Sequence, residues 1–228
     1  MPRPELGTAA EQDYVKAIFR LEEQGDATVS TTALAERLGV TPASASGMVR
    51  RLAERGLVTH VPYRGVTLTR AGAEVALRVI RRHRLLETYL VEELGMPWDR
   101  VHQEAEVLEH VLSSELEALI ARKLGDPVRD PHGDPIPSVD LEMAPDHTVA
   151  LSDLPAGAEG AFVRISDSDP AMLRYLAERG IAPGDRLVLV ERQPFGGPLF
   201  VRVGGRDHAL GGALADAMRI EVGAEPHG

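Results

Sequence analysis

Imidazole and carboxylate side chains recur at helical spacing in the middle of the chain. One pair is His83 and Glu87; a second group is His102, Glu106, Glu109 and His110. At about 100° per residue, the second group occupies an arc of roughly 100° on one helix. Such a face is costly to bury unless a cation or solvent neutralises it. The spacing therefore indicates a divalent metal site, and the alternative is a solvated surface with salt bridges.

The same stretch carries a separate apolar stripe, which consists of Val101, Ala105, Leu108, Leu112 and Leu119. Both stripes have helical periodicity. They predict a single helix of which one face packs and the other binds the cation.

Composition narrows the kind of metal. The chain has no cysteine, which excludes disulfides, thiolate nucleophiles and sulfur-based zinc sites. Any metal must be held by oxygen and imidazole nitrogen, a donor set that favours harder cations. There is no apolar run of about 18 residues and no signal-peptide pattern, so we expect a cytoplasmic protein with no membrane association.

The formal net charge of −10 is distributed unevenly along the chain. Residues 1–75 hold 9 basic and 9 acidic residues, whereas residues 76–228 hold 16 and 26. Within residues 27–70 the count is 6 against 2. A locally basic module on an acidic body suits contact with DNA through one face.

The N-terminal segment predicts a winged helix-turn-helix. A first helix over residues 8–24 has Thr8 as N-cap, a short helix carries Leu34 and Leu38, and a reading helix runs from Thr41 to Arg55. Residues 58–69 alternate β-formers around a turn and predict a two-stranded wing. The residues expected at bases are Thr41, Ala43, Ser44 and Ser46, with Arg50, Arg51 and Arg64 on phosphates. A helical protein-binding module is the alternative.

The rest of the chain predicts two further domains. Residues 71–124 contain two helical stretches separated at residues 95–97, with more apolar surface than one hairpin covers, so we expect a homodimer. Five prolines between residues 126 and 145 predict a tether. Short β-rich runs and one helix near residues 169–179 predict a small barrel that closes its own edges. The expected domains are 1–74, 75–142 and 148–223, in an α+β fold.

These motifs together resemble the diphtheria toxin repressor family of metal-dependent transcriptional regulators. The resemblance rests on residues 12–14 (QDY), 38–44 (LGVTPAS), 64–69 (RGVTLT), 82–87 (RHRLLE), 104–110 (EAEVLEH) and 130–137 (DPHGDPIP). It implies a winged helix-turn-helix, a helical dimerisation and metal-binding domain, and a C-terminal SH3-like (FeoA-like) domain. It also implies that a homodimer binds operator DNA when two metal sites per subunit are loaded.

The resemblance implies two sets of metal ligands. The primary set is Asp13, Glu106, Glu109 and His110. The ancillary set is His83, Glu87 and His102, completed by Asp167 and Asp169. The run around Asp167 and Asp169 is also a good helix N-cap and turn by itself. Asp130 and His132 either serve an interdomain site, as in related streptococcal regulators, or are polar side chains of a proline-rich loop.

Two positions at which this chain differs from the iron regulators of the family indicate which metal it binds. Iron regulators of this family place methionine and cysteine where this chain has Asp13 and Glu106, whereas manganese regulators carry the acid pair. Carboxylates suit manganese(II), although iron(II) accepts the same ligands. Binuclear manganese regulators use a further glutamate where this chain has Lys16, so we expect a mononuclear primary site well separated from the ancillary one.

The sequence therefore predicts a manganese(II)-activated repressor of metal-homeostasis genes rather than an enzyme. An iron(II)-dependent repressor is the alternative within the family. A metallohydrolase is an alternative from another class, but no nucleophile-and-base constellation is present. A further alternative is a metal-independent transcription factor whose acid clusters pair with Arg81, Arg82 or Arg84.

Overall fold

The computed structural model describes residues 6–23, 25, 28–61 and 64–223. The chain divides into two compact units. One consists of Met1–His83, Glu106–Glu117 and Pro137–Glu142, and the other of Arg84–Ala105, Ala118–Ile136 and Met143–Gly228. Within the described ranges, every helix is too short or too polar to span a bilayer.

The first unit begins with the predicted winged helix-turn-helix. Its elements are α1 (Ala9–Glu23), α2 (Thr31–Leu38), α3 (Pro42–Glu54), β1 (Val58–Val61) and β2 (Gly65–Leu68). The two strands pair antiparallel, with Val58 opposite Leu68 and Val61 opposite Gly65. Gln24, at the expected end of the first helix, and the wing residues 62 and 63 lie outside the described residues.

Both predicted N-caps of this domain form. Thr8 Oγ1 accepts from the Glu11 amide at 3.3 Å while Glu11 Oε2 accepts from the Thr8 amide at 2.8 Å, a reciprocal capping box. Thr41 Oγ1 accepts from the Ser44 amide at 3.2 Å, and Pro42 opens α3. A shared core buries one face of each helix, and among its members are Val15, Ile18, Leu34, Leu52 and Val66.

The middle of the chain forms three helices, α4 (Arg70–Glu92), α5 (Val101–Leu108) and α6 (Ser114–Lys123). The prediction of one helix carrying both stripes from Val101 to Leu119 is therefore wrong. The chain turns after Leu108, and Ser113 Oγ accepts from the Leu116 amide at 3.2 Å to start α6. Val101 and Ala105 are buried as predicted, but Leu119 lies on α6 and is 48% exposed.

The proline-rich segment has no helix or long strand, yet it is not the loose tether that we predicted. Asp130 Oδ1 accepts from the amides of His132 and Asp134, both at 2.9 Å. The His132 carbonyl accepts from the Ile165 amide at 2.9 Å. Asp130 and His132 are buried. Paired polar groups fix this part of the second unit, because buried polar groups are stable only when they are hydrogen-bonded.

The second unit contains an antiparallel sheet with the strand order β3-β8-β4-β5-β6-β7. The elements are β3 (Val149–Ala150), β4 (Glu159–Ile165), α7 (Pro170–Ala177), β5 (Arg186–Arg192), β6 (Leu199–Val203), β7 (Arg206–Leu210), α8 (Gly212–Ala217) and β8 (Met218–Val222). The predicted strands and helix form, and the α+β class is confirmed. We did not predict β3, β7, α8 or β8. The described ladder stays open between β3 and β7, so the expected closure of the edges is wrong.

Substitution of Gly133 tests whether the packing of the proline-rich segment against β4 stabilises the fold. Its φ is +88°, and a Cβ there would overlap the Val163 carbonyl oxygen. Gly125 has a φ of +74°, but a Cβ at that position would have no neighbour within 4 Å. Gly133→Ala should lower the free energy of unfolding by about 3 kcal/mol, and Gly125→Ala by about 1 kcal/mol. Urea denaturation measures both, and equal losses would show that the contact with β4 is unimportant.

Candidate metal centres

The first unit brings six ionisable side chains together, which we call the first centre. They are Asp13 and Lys16 on α1, His83 on α4, Glu106 on α5, and Glu109 and His110 in the turn after α5. Asp13 and Lys16 are three residues apart and share one face of α1. Because α5 ends at Leu108, Glu109 and His110 lie in the turn that follows it. The four predicted primary ligands thus lie in one cluster, in which Asp13 and His110 group with Glu109, and Glu106 groups with Glu109 and His83.

Gln12 orients the imidazole of His110 at this centre. Its Oε1 lies 2.9 Å from His110 Nδ1, and its amide nitrogen donates to the Gly7 carbonyl at 3.2 Å. An amide oxygen can only accept, so Nδ1 carries a proton, and Nε2 is the ring nitrogen on the side of Asp13. His110 Nε2 lies 3.1 Å from Asp13 Oδ1. Gln12 therefore directs the second ring nitrogen of His110 at Asp13, a role that the sequence did not reveal.

Glu109 lies at the middle of the first centre and is fully buried. Its Oε2 is 2.6 Å from His83 Nδ1. Lys16 Nζ donates to Glu109 Oε1 at 2.7 Å and Oε2 at 2.8 Å, and to Glu106 Oε1 at 2.7 Å. His83 was expected at the ancillary site, but its Nδ1 contacts this carboxylate of the first centre. Lys16 was expected at a ligand position of the binuclear regulators, but its contacts with these two carboxylates were not predicted.

The residues present fit a divalent cation. Asp13 Oδ1 is buried without a hydrogen bond to any described residue. Burial raises the pKa of Asp13, and Glu109 and Glu106 raise it further, against the opposing charges of His110 and Lys16. One ligand atom each from Asp13, Glu109 and His110 lies within 4.8 Å of the others. An imidazole nitrogen and carboxylate oxygens, one of them without a donor, are suitable ligands for such an ion.

The second unit contains a second centre formed by Glu87, His102 and Asp167. His102 Nδ1 is 2.8 Å from Asp167 Oδ2 and 3.4 Å from Glu87 Oε1. Burial opposes a charge on His102, but hydrogen bonds with Asp167 and Glu87 outweigh it and raise the pKa of His102 to about 10. A cationic ring therefore lies between two acids, where a metal ion would find the same three ligands.

Asp169 has a different role. It is exposed, and its Oδ1 accepts from the Ala171 amide at 2.9 Å as the N-cap of α7. The helix-cap interpretation of this run is correct for Asp169, because its carboxylate oxygen is held at the start of the helix. Asp167, two residues earlier, contacts His102 as predicted.

Asp130 and His132 lie next to Glu87 in the second unit. His132 Nδ1 is 3.8 Å from Glu87 Oε2, its Nε2 is 2.8 Å from the Trp98 carbonyl, and its ring stacks on Trp98. Burial opposes a charge on His132, but Glu87 raises its pKa to about 9. Burial and the neighbouring acids Asp134 and Glu87 raise the pKa of Asp130 to about 8. These two residues are therefore not polar side chains of an exposed loop.

The arginines that a metal-independent regulator would pair with these acids have other partners. Arg81 Nε lies 3.2 Å and Arg82 Nε 3.1 Å from the two oxygens of Glu117. Arg84 donates to the Pro135 carbonyl and forms longer ion pairs with Asp130 at 3.7 Å and Asp134 at 3.8 Å, neither of which belongs to the first or the second centre. The acids of the first centre are instead contacted by a lysine.

The predicted DNA-reading residues lie on the accessible side of the winged helix-turn-helix. Thr41, Ala43, Ser44, Arg50, Arg51 and Arg64 are exposed, and Ser46 is partly exposed. The Thr41 and Ser44 hydroxyls are 2.9 Å apart at the start of α3. Small side chains at this helix end allow close approach to a groove.

Asp167 and Asp169 provide a matched pair for testing the second centre. In metal-free protein, Asp167→Ala should lower the pKa of His102 markedly from its value of about 10, because the nearest acid is lost. Asp169→Ala should leave that pKa unchanged and cost about 1 kcal/mol of stability through the lost cap. NMR titration of the His102 ring measures the pKa, and equal effects of the two variants would contradict the assignment.

The raised pKa of His102 makes the stability of the metal-free protein depend on pH. A raised folded-state pKa stabilises the metal-free protein fully below the unfolded value of about 6.5, and this contribution is lost as the pH rises toward 10. Asp167→Ala should flatten that dependence.

Three family descriptions match successive parts of the chain. They are the iron-dependent repressor N-terminal DNA-binding domain over residues 6–66, the iron-dependent repressor metal-binding and dimerisation domain over 69–138, and the FeoA domain over 149–222. They follow the same order as the winged helix-turn-helix, the helices that carry the ligands, and the sheet.

Relatives match nearly the whole chain. The iron-dependent repressor IdeR of Mycobacterium tuberculosis is 34% identical over 91% of this chain and 95% of its own length. The diphtheria toxin repressor of Corynebacterium diphtheriae is 30% identical over the same shares. A solved manganese-dependent transcriptional repressor in complex with manganese is 47% identical, with a TM-score of 0.86 over 93% of this chain and 99% of that chain. The manganese regulator SloR is 30% identical, with a TM-score of 0.73 over 93% and 98%. The chain therefore belongs to the diphtheria toxin repressor family, a family of metal-dependent, DNA-binding transcriptional repressors rather than enzymes.

Proposed function

We propose that this protein is a manganese(II)-activated repressor that binds operator DNA as a homodimer and controls genes of metal homeostasis. The observation that carries the proposal is the first centre, where Asp13 of the winged helix-turn-helix meets Glu109 and His110 of the following helical region. All of its ligands are oxygen or imidazole nitrogen. The similarity to a manganese-dependent repressor at 47% identity supports the same conclusion.

The donor set favours manganese(II) over metals that prefer sulfur. In the general affinity series manganese(II) binds most weakly, so a protein that responds to it gains by omitting thiolate and thioether ligands. Asp13 and Glu106 occupy the two positions that decide this. Iron(II) is the alternative, because it accepts carboxylates and imidazole and a relative is named iron-dependent. We propose two ions per subunit, one at each centre.

Asp13 couples metal binding to the reading helix through α1. This helix packs against α2 and α3 in one core, and Glu11 Oε2 accepts from Arg55 Nη1 at 2.6 Å at the far end of α3. When bound, the ion would neutralise Asp13 and Glu109 and link α1 to the turn after α5. Without it these two carboxylates repel each other across that joint. Fixing α1 therefore fixes the orientation of α3, and DNA and metal must strengthen each other's binding equally.

A homodimer is supported by the apolar surface close to the first centre. Val107 is 68% exposed, Val111 78% and Leu116 48%, all in the first unit. An exposed apolar patch of this kind is typical of an interaction surface. A two-fold dimer would place two reading helices on half-sites about one DNA turn apart.

Asp13→Ala tests the coupling. Duplexes selected from a random pool by the manganese-loaded protein provide the operator, and fluorescence anisotropy measures the affinity with and without manganese. We expect Asp13→Ala to lose the metal stimulation, at least about tenfold, while remaining a folded dimer. Asp169→Ala is the matched control, since this carboxylate caps α7, and it should keep the stimulation. Full stimulation in Asp13→Ala would remove this residue from the mechanism.

Glu106→Cys tests the metal preference. Anaerobic anisotropy titrations with manganese, iron and zinc should rank manganese as an effective activator of the unmodified protein. The cysteine variant should shift the preference toward iron and zinc, because it removes one of the two carboxylates that hold the Lys16 ammonium and places beside Glu109 a thiolate, which favours the later metals. Glu104→Cys, on an exposed part of α5, is the control that adds a thiol away from the centre. An unchanged ranking in Glu106→Cys would contradict the ligand argument.

A further inference from the structure

Lys16 is held inside the first centre by three short contacts. Its side chain is 8% exposed, and its ammonium contacts one oxygen of Glu106 and both oxygens of Glu109 at 2.7–2.8 Å. An ammonium group has three N–H donors, and each has one acceptor here. Lys16 therefore interacts with these acids as a bound cation does.

The first centre contains two overlapping cation positions. One is formed by Asp13, Glu109 and His110, and the other by His83, Glu106 and Glu109, with ligand atoms within 4.8 Å of one another in each. Glu109 belongs to both. The Lys16 ammonium contacts the two carboxylates of the second group and takes up that position.

The charges of the centre agree with this division. Asp13, Glu106 and Glu109 supply three negative charges, and Lys16 supplies one positive charge. The remainder is two negative charges, which one divalent ion neutralises. A second divalent ion beside Lys16 would leave a net positive cluster around the fully buried Glu109, which is unfavourable at low local dielectric.

The choice of lysine is specific in this sequence. Of the 25 basic residues only Lys16 and Lys123 are lysines, and the others are arginines. A guanidinium is a planar fork, whereas an ammonium is a compact point charge with three donors. A lysine stem from α1 can thus deliver a cation into a space shaped by two carboxylates.

We propose that Lys16 is the resident cation of the first centre: its ammonium fills the position between Glu106 and Glu109 and limits this centre to one divalent ion. The proposal rests on the proposed function, since it assumes that Asp13, Glu109 and His110 bind a metal. Lys16 also ties α1 to Glu106 and Glu109 in the metal-free protein, so it holds the centre together before the metal arrives.

Lys16→Ala removes this cation. The number of manganese ions bound per protomer then shows whether a second ion takes its place. All proteins carry His102→Ala to disable the second centre, and bound manganese is measured by equilibrium dialysis and by EPR. With Lys16 present, we expect about one ion per protomer and an isolated-ion spectrum. Lys16→Ala should bind about two ions with an exchange-coupled spectrum, because two ions that share Glu109 would be neighbours. Its metal-free form should melt several degrees lower, because the acids lose their counter-ion.

Lys123→Ala is the matched control. Lys123 is 61% exposed in its side chain and pairs with Glu93 at 3.0 Å, so its loss should change neither the ion count nor the spectrum. Two coupled ions in the protein that retains Lys16 would overturn the proposal, whether or not the alanine variant folds. One ion in a folded Lys16→Ala would also overturn it. No ion at all in the presence of Lys16 would instead show that the metal centre itself is wrong.

Discussion

The repulsion among buried carboxylates at the joint between α1 and the turn after α5 is the constraint on which the account depends. Glu109 is fully buried, and Asp13 and Glu106 lie on either side of it. Charges removed from water must be neutralised locally, or the fold loses the stability gained by packing. Lys16 and His83 provide part of this compensation from within the chain. In the proposed mechanism a cation from solution provides the part near Asp13, and metal thereby controls the geometry of this joint.

The joint lies next to the DNA-reading part of the molecule, so a change in its geometry would change the orientation of the reading helix. α1 shares a hydrophobic core with α2 and α3, so its orientation and that of the reading helix are linked by packing rather than by a flexible loop. The exposed apolar side chains Val107 and Val111 lie within a few residues of Glu109. Metal binding, the proposed dimer surface and DNA reading are therefore close together in the first unit. The second centre, in the other unit, uses the same ligand chemistry with acids from α4 and the loop after β4.

The sequence predicted those features that follow from local patterns. The winged helix-turn-helix could be predicted because its caps, turn glycine and alternating strands are all local signals, as Thr8 and Thr41 illustrate. The clustering of the expected ligands could be predicted from spacing and family resemblance. The break after Leu108 was not predicted, because the periodicity of the two stripes continues through it and outweighed the capping signal of Ser113. The choice between Asp167 and Asp169 depended on where α7 starts, and helix ends are the least predictable feature of a sequence.

The partners of long side chains were not predictable either. Nothing in the spacing of α1 shows that Lys16 reaches Glu106 and Glu109, about ninety residues away, because such contacts depend on tertiary packing. Likewise, the proline-rich segment appeared to be a linker because its composition forbids helices, whereas the buried hydrogen bonds of Asp130 and His132 fix it in place. The most direct test of the central claim is anomalous diffraction at the manganese edge from crystals grown with manganese. The account predicts a peak within bonding distance of Asp13, Glu109 and His110; the absence of a peak there would contradict it.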